Sequence, residues 1–548
     1  MLKLVLPNQT ELEVESITAK ELVDKYSDDP KRVMTVAVGY HHYELNETIK
    51  NSGLVLFANA NTMSGNQAYR SGLAYVFASA IIDELGNNVN YRIQASINFA
   101  FYIWFEDLEV TKELVERIKN RMLKIISEDH KFEKTLVYRL EALNYFKKMN
   151  RTEKVKLLRY LTNTFVSLYK LNDKYDYFYN KMPYSTGQLT MCELDFVDER
   201  GMLLKFPNVY YNGEELTINE QTHLFEVYRK FSKWTDNLGI VYASDLNEYV
   251  TSKDINELIR IEEARHNNEL FKVSETIANS DQHIKVIMIA GPSSSGKTTT
   301  SKKLAVYLKG QGYDVKVLGC DDYFKERVDT PKDEYGDYDY DNLAAIDVEL
   351  FNRHLEELFR GEEVSLPSYN FLTGVKEYKN KTLKLQRNSI LIIEGIHALN
   401  DEMSASIESS HKFRIYISPL AQLNLDKNNT ISYSDIRLLR RIVRDRKYRG
   451  NDVAATIDMW PNVRRAEEKY IYHYQAHADI ILNTTLLYEV GALRTLAQAY
   501  LYEITEDMPQ YEKVKSLLNF LSNFLPFPTD AIPPDSLLRE FIGGSCYE

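Results

Sequence analysis

A multidomain α/β protein is predicted, with a C-terminal half built on a parallel sheet covered by helices and an N-terminal half of α+β character. Three observations predict it. The 548-residue chain exceeds what one hydrophobic core can serve and implies about three or four domains. Between Ile284 and residue 500, five short apolar runs alternate with helical segments: "KVIMIA", "DVKVLGC", "SILIIEGI", "FRIYIS" and "ADIILN". Continuous apolar strands of this kind are buried on both faces, which is the mark of a parallel sheet between helices. The glycine-bounded stretch "GPSSSGKTT" follows the first of these strands and opens a helix.

Taken in order, residues 1–62 read as a small α+β unit. A strand, Leu2 to Leu6, leads through a turn at Pro7–Asn8 to a second strand and a short helix near Ala19 to Tyr26. "RVMTVAVGYHHYEL" supplies a further strand pair. Longer helices are expected over 63–235, where Leu114, Val115, Ile118, Met122, Ile125 and Ile126 share one helical face. A polar, mostly helical connector spans 236–280, and its Thr251-x-x-Asp254 start resembles a capping box. The alternating strands and helices fill 281–500. The tail, 501–548, carries a helix and the Pro-rich turn "LPFPTDAIPPD".

Bulk properties exclude several classes. Cys192, Cys320 and Cys546 are few, odd in number and far apart, so neither a disulfide framework nor a zinc site is expected, and a reducing cytoplasm suits the chain. The first residues alternate like a strand and lack the basic start and apolar run of a signal peptide. Apolar runs such as "INFAFYIWF" fall short of the roughly 18 residues that suggest a membrane span, so no membrane contact is expected. The net charge of −12 opposes general nucleic-acid coating.

The chemistry begins at Gly291. Gly291, Gly296, Lys297 and Thr298 fit G-x-x-x-x-G-K-[ST], and Ser293, Ser294, Ser295 and Thr299 complete the loop and the start of its helix. The glycines let backbone N–H groups close around a phosphate, and the helix N-terminus adds its positive end. Lys297 reaches the β and γ oxygens of a nucleotide, and the Thr298 hydroxyl can ligate Mg²⁺. A switch GTPase would carry N-K-x-D after a strand, and the chain has no such run.

Carboxylates at the ends of later strands come next, because open α/β sheets bind ligands there. "VLGCDDYF" offers Asp321 and Asp322, either as a proton acceptor or as turn acids. "SILIIEGI" ends its buried strand in Glu394, where a Mg²⁺-linked carboxylate belongs. "DYDYDNLAAID" offers Asp337, Asp339 and Asp341 without the glycine and glutamate of a calcium loop. "SDIRLLRRIVRDRKYRG" holds six Arg and one Lys against one Asp between 437 and 449. Leu438, Leu439, Ile442 and Val443 would dock this helix, leaving Arg437, Arg440, Arg441 and Arg444 on the other face as a phosphate-clamping lid.

Over about 284–490 these motifs, with "LPSYNF", resemble the uridine kinase and phosphoribulokinase family in order and spacing. The resemblance implies ATP and Mg²⁺ as cofactors, with Asp321 as the general base toward a sugar 5′-hydroxyl. It implies Asp341 on the ribose hydroxyls, Tyr369 beside the base, Phe371 and Arg449 among the substrate-binding residues, and Glu394 linked to magnesium. Arg441, Arg444 and Arg449 match lid arginines that neutralise the transferring phosphate. The chain departs from the pattern at Gly374, where the family's uridine–cytidine kinases place a base-reading histidine, and at Asn451, in place of another lid arginine.

Residues 1–62 also resemble a TGS domain, and 63–235 resemble the editing-type second domain of threonyl-tRNA synthetases, through "YRSGLAYVFASAI" and "MPYSTG". The family's H-x-x-x-H pair is replaced here by Ser71 and Tyr75, and its Cys and His are absent from "YDYFYNKMPYSTG", so ester hydrolysis is not implied. The expected activity is transfer of the γ-phosphate of ATP to the 5′-hydroxyl of a nucleoside, uridine or a relative. A kinase of another small alcohol and an RNA-associated regulatory ATPase are the alternatives. RNA contact by the N-terminal half and homo-oligomer formation stay open.

Overall fold

Near the N-terminus, strands β1 (Leu2–Val5), β2 (Glu11–Val14), β3 (Val33–Val38), β4 (His41–Glu44) and β5 (Gly53–Asn59) form a sheet in the order β2-β1-β5-β3-β4. The computed structural model describes all residues except 98–99, 210–221, 334–335, 337, 372, 380, 421–422 and 548. Asp337 therefore lies outside the described residues. Helix α1 (Ala19–Tyr26) starts at Thr18, whose hydroxyl accepts the Glu21 N–H while the Glu21 carboxylate takes the Thr18 N–H. That reciprocal cap satisfies two donors that a helix start leaves open.

The next region is richer in strands than its helical periodicity suggests. Helices α2 (Met63–Leu85) and α3 (Lys112–Ser127) are joined by β6 (Tyr91–Ile97) and β7 (Ala100–Phe105). Then follow β8 (Glu133–Tyr138), α4 (Arg139–Lys148), α5 (Thr152–Tyr160), β9 (Phe165–Leu171), β10 (Lys174–Tyr177), β11 (Glu193–Asp198), β12 (Gly201–Lys205) and α6 (Thr222–Leu238). The strands make a sheet ordered β11-β12-β7-β6 and another ordered β10-β9-β8. On α3 the anticipated stripe is buried from Leu114 to Ile125, with Ile126 half-buried at its edge.

Helices α7 (Ala243–Ser252) and α8 (Ile255–Ala278) lead into the second half. The capping box read at Thr251-x-x-Asp254 is absent: Asp254 caps α8 through the Asn256 N–H, while the Thr251 hydroxyl donates back to the Asn247 carbonyl inside α7. Helix α8 is also no solvated linker. Its Leu270, Val273 and Ile277 are buried against the following sheet.

That sheet contains β13 (Val286–Ala290) and β14 (Asp314–Gly319), joined by α9 (Lys297–Gly310), and α10 (Val348–Phe359) follows. Two small hairpins come next, β15 (Val364–Ser365) with β18 (Thr382–Leu383) and, between them, β16 (Ser368–Asn370) with β17 (Val375–Glu377). Strands β19 (Ser389–Glu394), β20 (Lys412–Ser418) and β21 (Ile480–Asn483) complete the sheet, with α11 (Tyr433–Arg444) and α12 (Val453–Tyr470) between the last two. The chain ends in α13 (Glu489–Leu501), α14 (Tyr511–Leu521) and α15 (Arg539–Ile542). The order is β14-β19-β13-β20-β21, every pair parallel. All five predicted strands are present. Ile287, Ile289, Ile392 and Ile415 face α8 and α9, while Val286, Met288, Leu391 and Tyr416 face α10.

The second face of this sheet shares one apolar cluster with Tyr102, Leu203 and Tyr228 of the N-terminal half, so the two halves are joined through a core. A segment after β20 reaches back into the first half. Its Asp426 meets Lys154 at 2.9 Å, and Asp176 meets the same ammonium at 2.6 Å, all three buried. The residues after 501 are likewise built in, with Leu537, Leu538, Phe541 and Ile542 buried in the cluster that holds α11 and α13.

Candidate active site

The stretch from Gly291 to Thr299 turns from β13 into α9 at the centre of the parallel sheet. Gly291 passes so close to β20 that an added Cβ would lie 2.1 Å from the Ile417 carbonyl oxygen, and Gly296 adopts φ +92°. Only glycine meets both demands at low cost. The loop carbonyls are fastened outward one after another. Ser293 O accepts from Arg437 Nε at 2.8 Å, Ser294 O from Arg440 Nη1 at 3.3 Å, and Ser295 O from the Thr484 hydroxyl at 2.7 Å. With its carbonyls tied from outside and Ser294 at φ +58°, the loop has the form of an anion nest.

This arrangement corrects the expectation for the arginine helix. Arg437 and Arg440 do not present on an open face; both are fully buried. Arg437 pairs with Glu467 on α12, and Arg440 with Glu489 on α13 at 2.6 Å. Buried carboxylates on neighbouring helices provide the compensation that a buried guanidinium requires. Arg441 reaches the loop as well, donating to Ser293 Oγ at 2.8 Å. Asp445, in the π-helical turn Asp445–Arg449, binds Arg444 at 2.7 Å, Arg441 at 3.2 Å and Arg449 at 3.9 Å. Burial works against its charge, but these guanidiniums, Arg444 foremost, hold its carboxyl below the usual range.

Around the loop the carboxylates gather. Thr298 Oγ1 donates to Glu394 Oε1 at 3.1 Å, and Lys297 Nζ rests on the carbonyls of Gly291 and Pro292 at 3.0 and 3.1 Å. Burial, with the Asp321 charge beside it, pushes the Glu394 carboxyl up to about 7. Burial lowers the Lys297 ammonium against the pull of Glu394 and Asp321. Burial likewise raises Asp341 to about 7, opposed mainly by Arg441. The charge of Asp321 is felt at Lys297, Asp341, Glu394 and Arg449. Asp321 is exposed at the strand end, whereas Asp322 is half-buried and turned to Lys381 at 3.9 Å. Gly395 follows Glu394 because the Cys320 side chain fills the space a Cβ would take, 2.5 Å away.

A cluster of rings forms the neighbouring wall. Phe324, Tyr369 and Phe371 lie 5.1–6.1 Å apart between centroids, and Arg449 stands 5.1 Å above Phe371. The adjoining Arg444 charge, then burial, lowers the Arg449 guanidinium to about 10. Opposite them, Gly374 adopts φ +73°, and the space beside it is taken by the Arg327 guanidinium, 2.8 Å from the point a Cβ would occupy. Arg327 donates to Tyr340 Oη and to the Phe371 carbonyl, both at 3.1 Å.

The oxygens of Thr298 and Glu394 are the donors most able to hold a hard cation. Among the described residues no group of three or more His, Cys, Asp and Glu side chains is placed to hold a metal ion. Mg²⁺ suits such a sparse site, because it takes one or two protein oxygens and completes its shell with phosphate and water. Lys297, Thr298, Asp321, Asp341 and Glu394 thus lie together, with Arg441, Arg444 and Arg449 alongside. Asp445, Glu467, Glu489 and Arg327 escape the sequence reading; the lone Asp amid six Arg was the one available signal.

The second half of the chain is similar to known proteins. The model of the Phosphoribulokinase / Uridine kinase family matches residues 286–488. A uridine kinase of Bacillus pumilus is 31% identical over 198 residues, which are 36% of this chain and 85% of that protein. One from Anoxybacillus flavithermus is 30% identical over 198 residues, 36% of this chain and 84% of its own. A solved structure of a possible uridine kinase from Bacillus stearothermophilus aligns over 39% of this chain and 98% of its own, at 20% identity and a TM-score of 0.28. Through its phosphate loop, its strand-end carboxylates and its arginine helix, the chain belongs to the Phosphoribulokinase / Uridine kinase family.

Proposed function

We propose that the chain is an ATP-dependent nucleoside kinase that phosphorylates the 5′-hydroxyl of uridine or a close relative, in the cytoplasm. The observation that carries this reading is the position of Asp321, exposed at the sheet's edge and within the field of Lys297, Glu394 and Asp341. ATP lies on residues Gly291, Ser293 to Lys297, Thr298 and Thr299. Thr298 and Glu394 would hold Mg²⁺, which when bound neutralises the β and γ oxygens. Lys297 turns from its carbonyl partners to the γ-phosphate. Asp321 takes the proton from the 5′-hydroxyl as the oxygen moves in line. Arg441, Arg444 and Arg449, oriented by Asp445, spread the charge that develops.

Asp341 and Tyr369 orient the acceptor, with Phe371 and Arg449 at its edge. Asp341 accepts from the sugar hydroxyls best when ionised, and burial pushes its carboxyl up to about 7. The acceptor's kcat/KM should therefore rise with pH through about 7, and Asp341→Asn should remove that limb while lowering the plateau. A pH–rate profile with the acceptor limiting checks it. A profile that keeps the same limb in the variant assigns the titration elsewhere.

Arg327, which fills the room left by Gly374, is the group we propose to read the ring of the acceptor. A guanidinium only donates, so it fits a carbonyl edge, as in uracil, and opposes an amino edge, as in cytosine. Loss of one charged hydrogen bond in Arg327→Ala should lower kcat/KM for uridine about tenfold while sparing cytidine. An equal loss for both would remove Arg327 from base selection. Full-length protein incubated with ATP, Mg²⁺ and a panel of nucleosides and simple alcohols, with products identified by mass spectrometry, tests the reading. It predicts a nucleoside 5′-monophosphate, and phosphorylation of a non-nucleoside alcohol alone would overturn it.

For the N-terminal half we propose residues 1–62 as a TGS-like unit and 63–235 as a synthetase-editing-like unit without its hydrolytic ligands. Residues 236–280 connect them to the kinase region, 281–500, and 501–548 form the C-terminal segment. What supports loss of hydrolysis is the use of the two substituted positions. The Ser71 hydroxyl donates within its own helix to Gln67 O, and the Tyr75 hydroxyl donates to the carbonyls of Tyr169 and Lys174 at 2.9 and 2.7 Å, so only Tyr75 is tied into the core.

A further inference from the structure

The start of α9 is already engaged by a carboxylate from the far end of the chain. Glu540 Oε2, on α15, accepts the Thr299 N–H at 3.1 Å and the Thr299 hydroxyl at 2.7 Å. An N–H in the first turn of the helix that follows a phosphate loop is a donor for phosphate oxygen, and it lies at the positive end of the helix dipole. Glu540 thus puts a negative oxygen where the nucleotide's phosphate chain would put one. It comes from a segment beyond residues 286–488, the region that matches the family model.

The rest of that segment straddles the same site. On the loop side, Leu537 packs onto Gly296, where an added Cβ would be 2.6 Å from Leu537 Cδ1. Asp535 pairs with Lys303 at 3.2 Å, and the Tyr547 carbonyl accepts from Lys302. On the arginine-helix side, Lys447 Nζ donates to the Ile542 carbonyl at 3.0 Å, and Arg440 stands 5.1 Å over the Phe541 ring. Gly543, at φ +92°, lets the backbone pass Lys447 so closely that a Cβ would lie 1.7 Å from Nζ. The segment therefore ties α9 to the turn that carries Arg449.

We propose that residues 535–547 form an intramolecular strap across the phosphate site, with Glu540 as its stand-in anion, and that nucleotide binds only as the Glu540 carboxylate leaves Thr299, while Leu537, Leu538 and Phe541 stay in the core. A carboxylate and a phosphate oxygen repel and compete for the same two donors, so one excludes the other. The affinity for nucleotide is then the intrinsic affinity multiplied by the fraction of molecules in which Glu540 has left Thr299. This inference rests on the reading of the loop as a nucleotide site.

The test is isothermal titration of the full chain with ADP and, separately, with inorganic tripolyphosphate, which needs no turnover and no acceptor. Glu540→Gln keeps the shape of the side chain and removes its charge. It should tighten both ligands about tenfold, the scale of one lost charge-assisted hydrogen bond. Gly543→Ala, which strains the strap at its crossing with Lys447 and leaves Glu540 in place, should tighten both in the same direction. Circular dichroism and the thermal midpoint establish that each variant is folded. Equal or weaker binding of ADP by folded Glu540→Gln overturns the strap. If neither wild type nor variant binds ADP, the nucleotide-site reading fails, and the strap falls with it.

Discussion

Asp321→Asn is expected to lower kcat by about 10²- to 10⁴-fold, the range of general acid–base catalysis, while leaving the KM for ATP nearly unchanged. The amide keeps the size of the side chain and its place at the strand end but cannot accept the proton of the attacking hydroxyl. The neighbour supplies the control. Asp322 is turned toward Lys381, with Tyr369 and Ser368 at its carboxyl, so Asp322→Asn should act through local packing and cost far less. Steady-state kinetics with saturating ATP separates the two. A small effect at Asp321 combined with a large one at Asp322 would exchange their roles.

Lys154→Met is expected to cost about 3–5 kcal/mol of stability, the scale of breaking a buried ion pair from one side. Lys154 is fully buried, and its ammonium serves Asp176 at 2.6 Å, Asp426 at 2.9 Å and the Tyr177 carbonyl at 2.9 Å. Methionine fills the volume but leaves two carboxylates without their shared cation; Arg151, 3.8 Å from Asp176, and the amide donors of Asn428 and Asn429 offset only part of the loss. Because Asp426 belongs to the second half of the chain and Lys154 to the first, the loss loosens the junction as well as one core. Denaturant unfolding followed by tryptophan fluorescence should show an earlier transition. A shift of under about 1 kcal/mol, as for an exposed pair, would mean that the network contributes little.

The sequence disclosed those parts of the molecule whose pattern is local. Five strands are visible as short apolar runs between helical segments, β13 and β19 being buried on both faces. The phosphate loop is legible because its glycines, lysine and threonine are contiguous. Strands such as β10, "KYDY", and β11, "ELDFVD", are not, because their alternation is brief and half of each run is charged, so little apolar signal marks them. The arginine helix misleads for a related reason. Its amphipathic pattern points Arg437 and Arg440 to solvent, but Glu467 and Glu489, tens of residues away, give them buried partners. Glu540 lies 241 residues from Thr299, and no spacing rule links them. Pairings made by tertiary folding leave single acids in the sequence, indistinguishable from surface charge.

The most direct measurement is a crystal structure of the full chain with Mg²⁺, an unreactive ATP analogue and uridine. The triphosphate is expected on Gly291 to Thr299, the sugar on Asp341, and the uridine 5′-oxygen about 2.6–3.2 Å from the Asp321 carboxylate and in line with the terminal phosphorus. A nucleoside bound elsewhere, or held with its 5′-oxygen out of reach of Asp321, would contradict it.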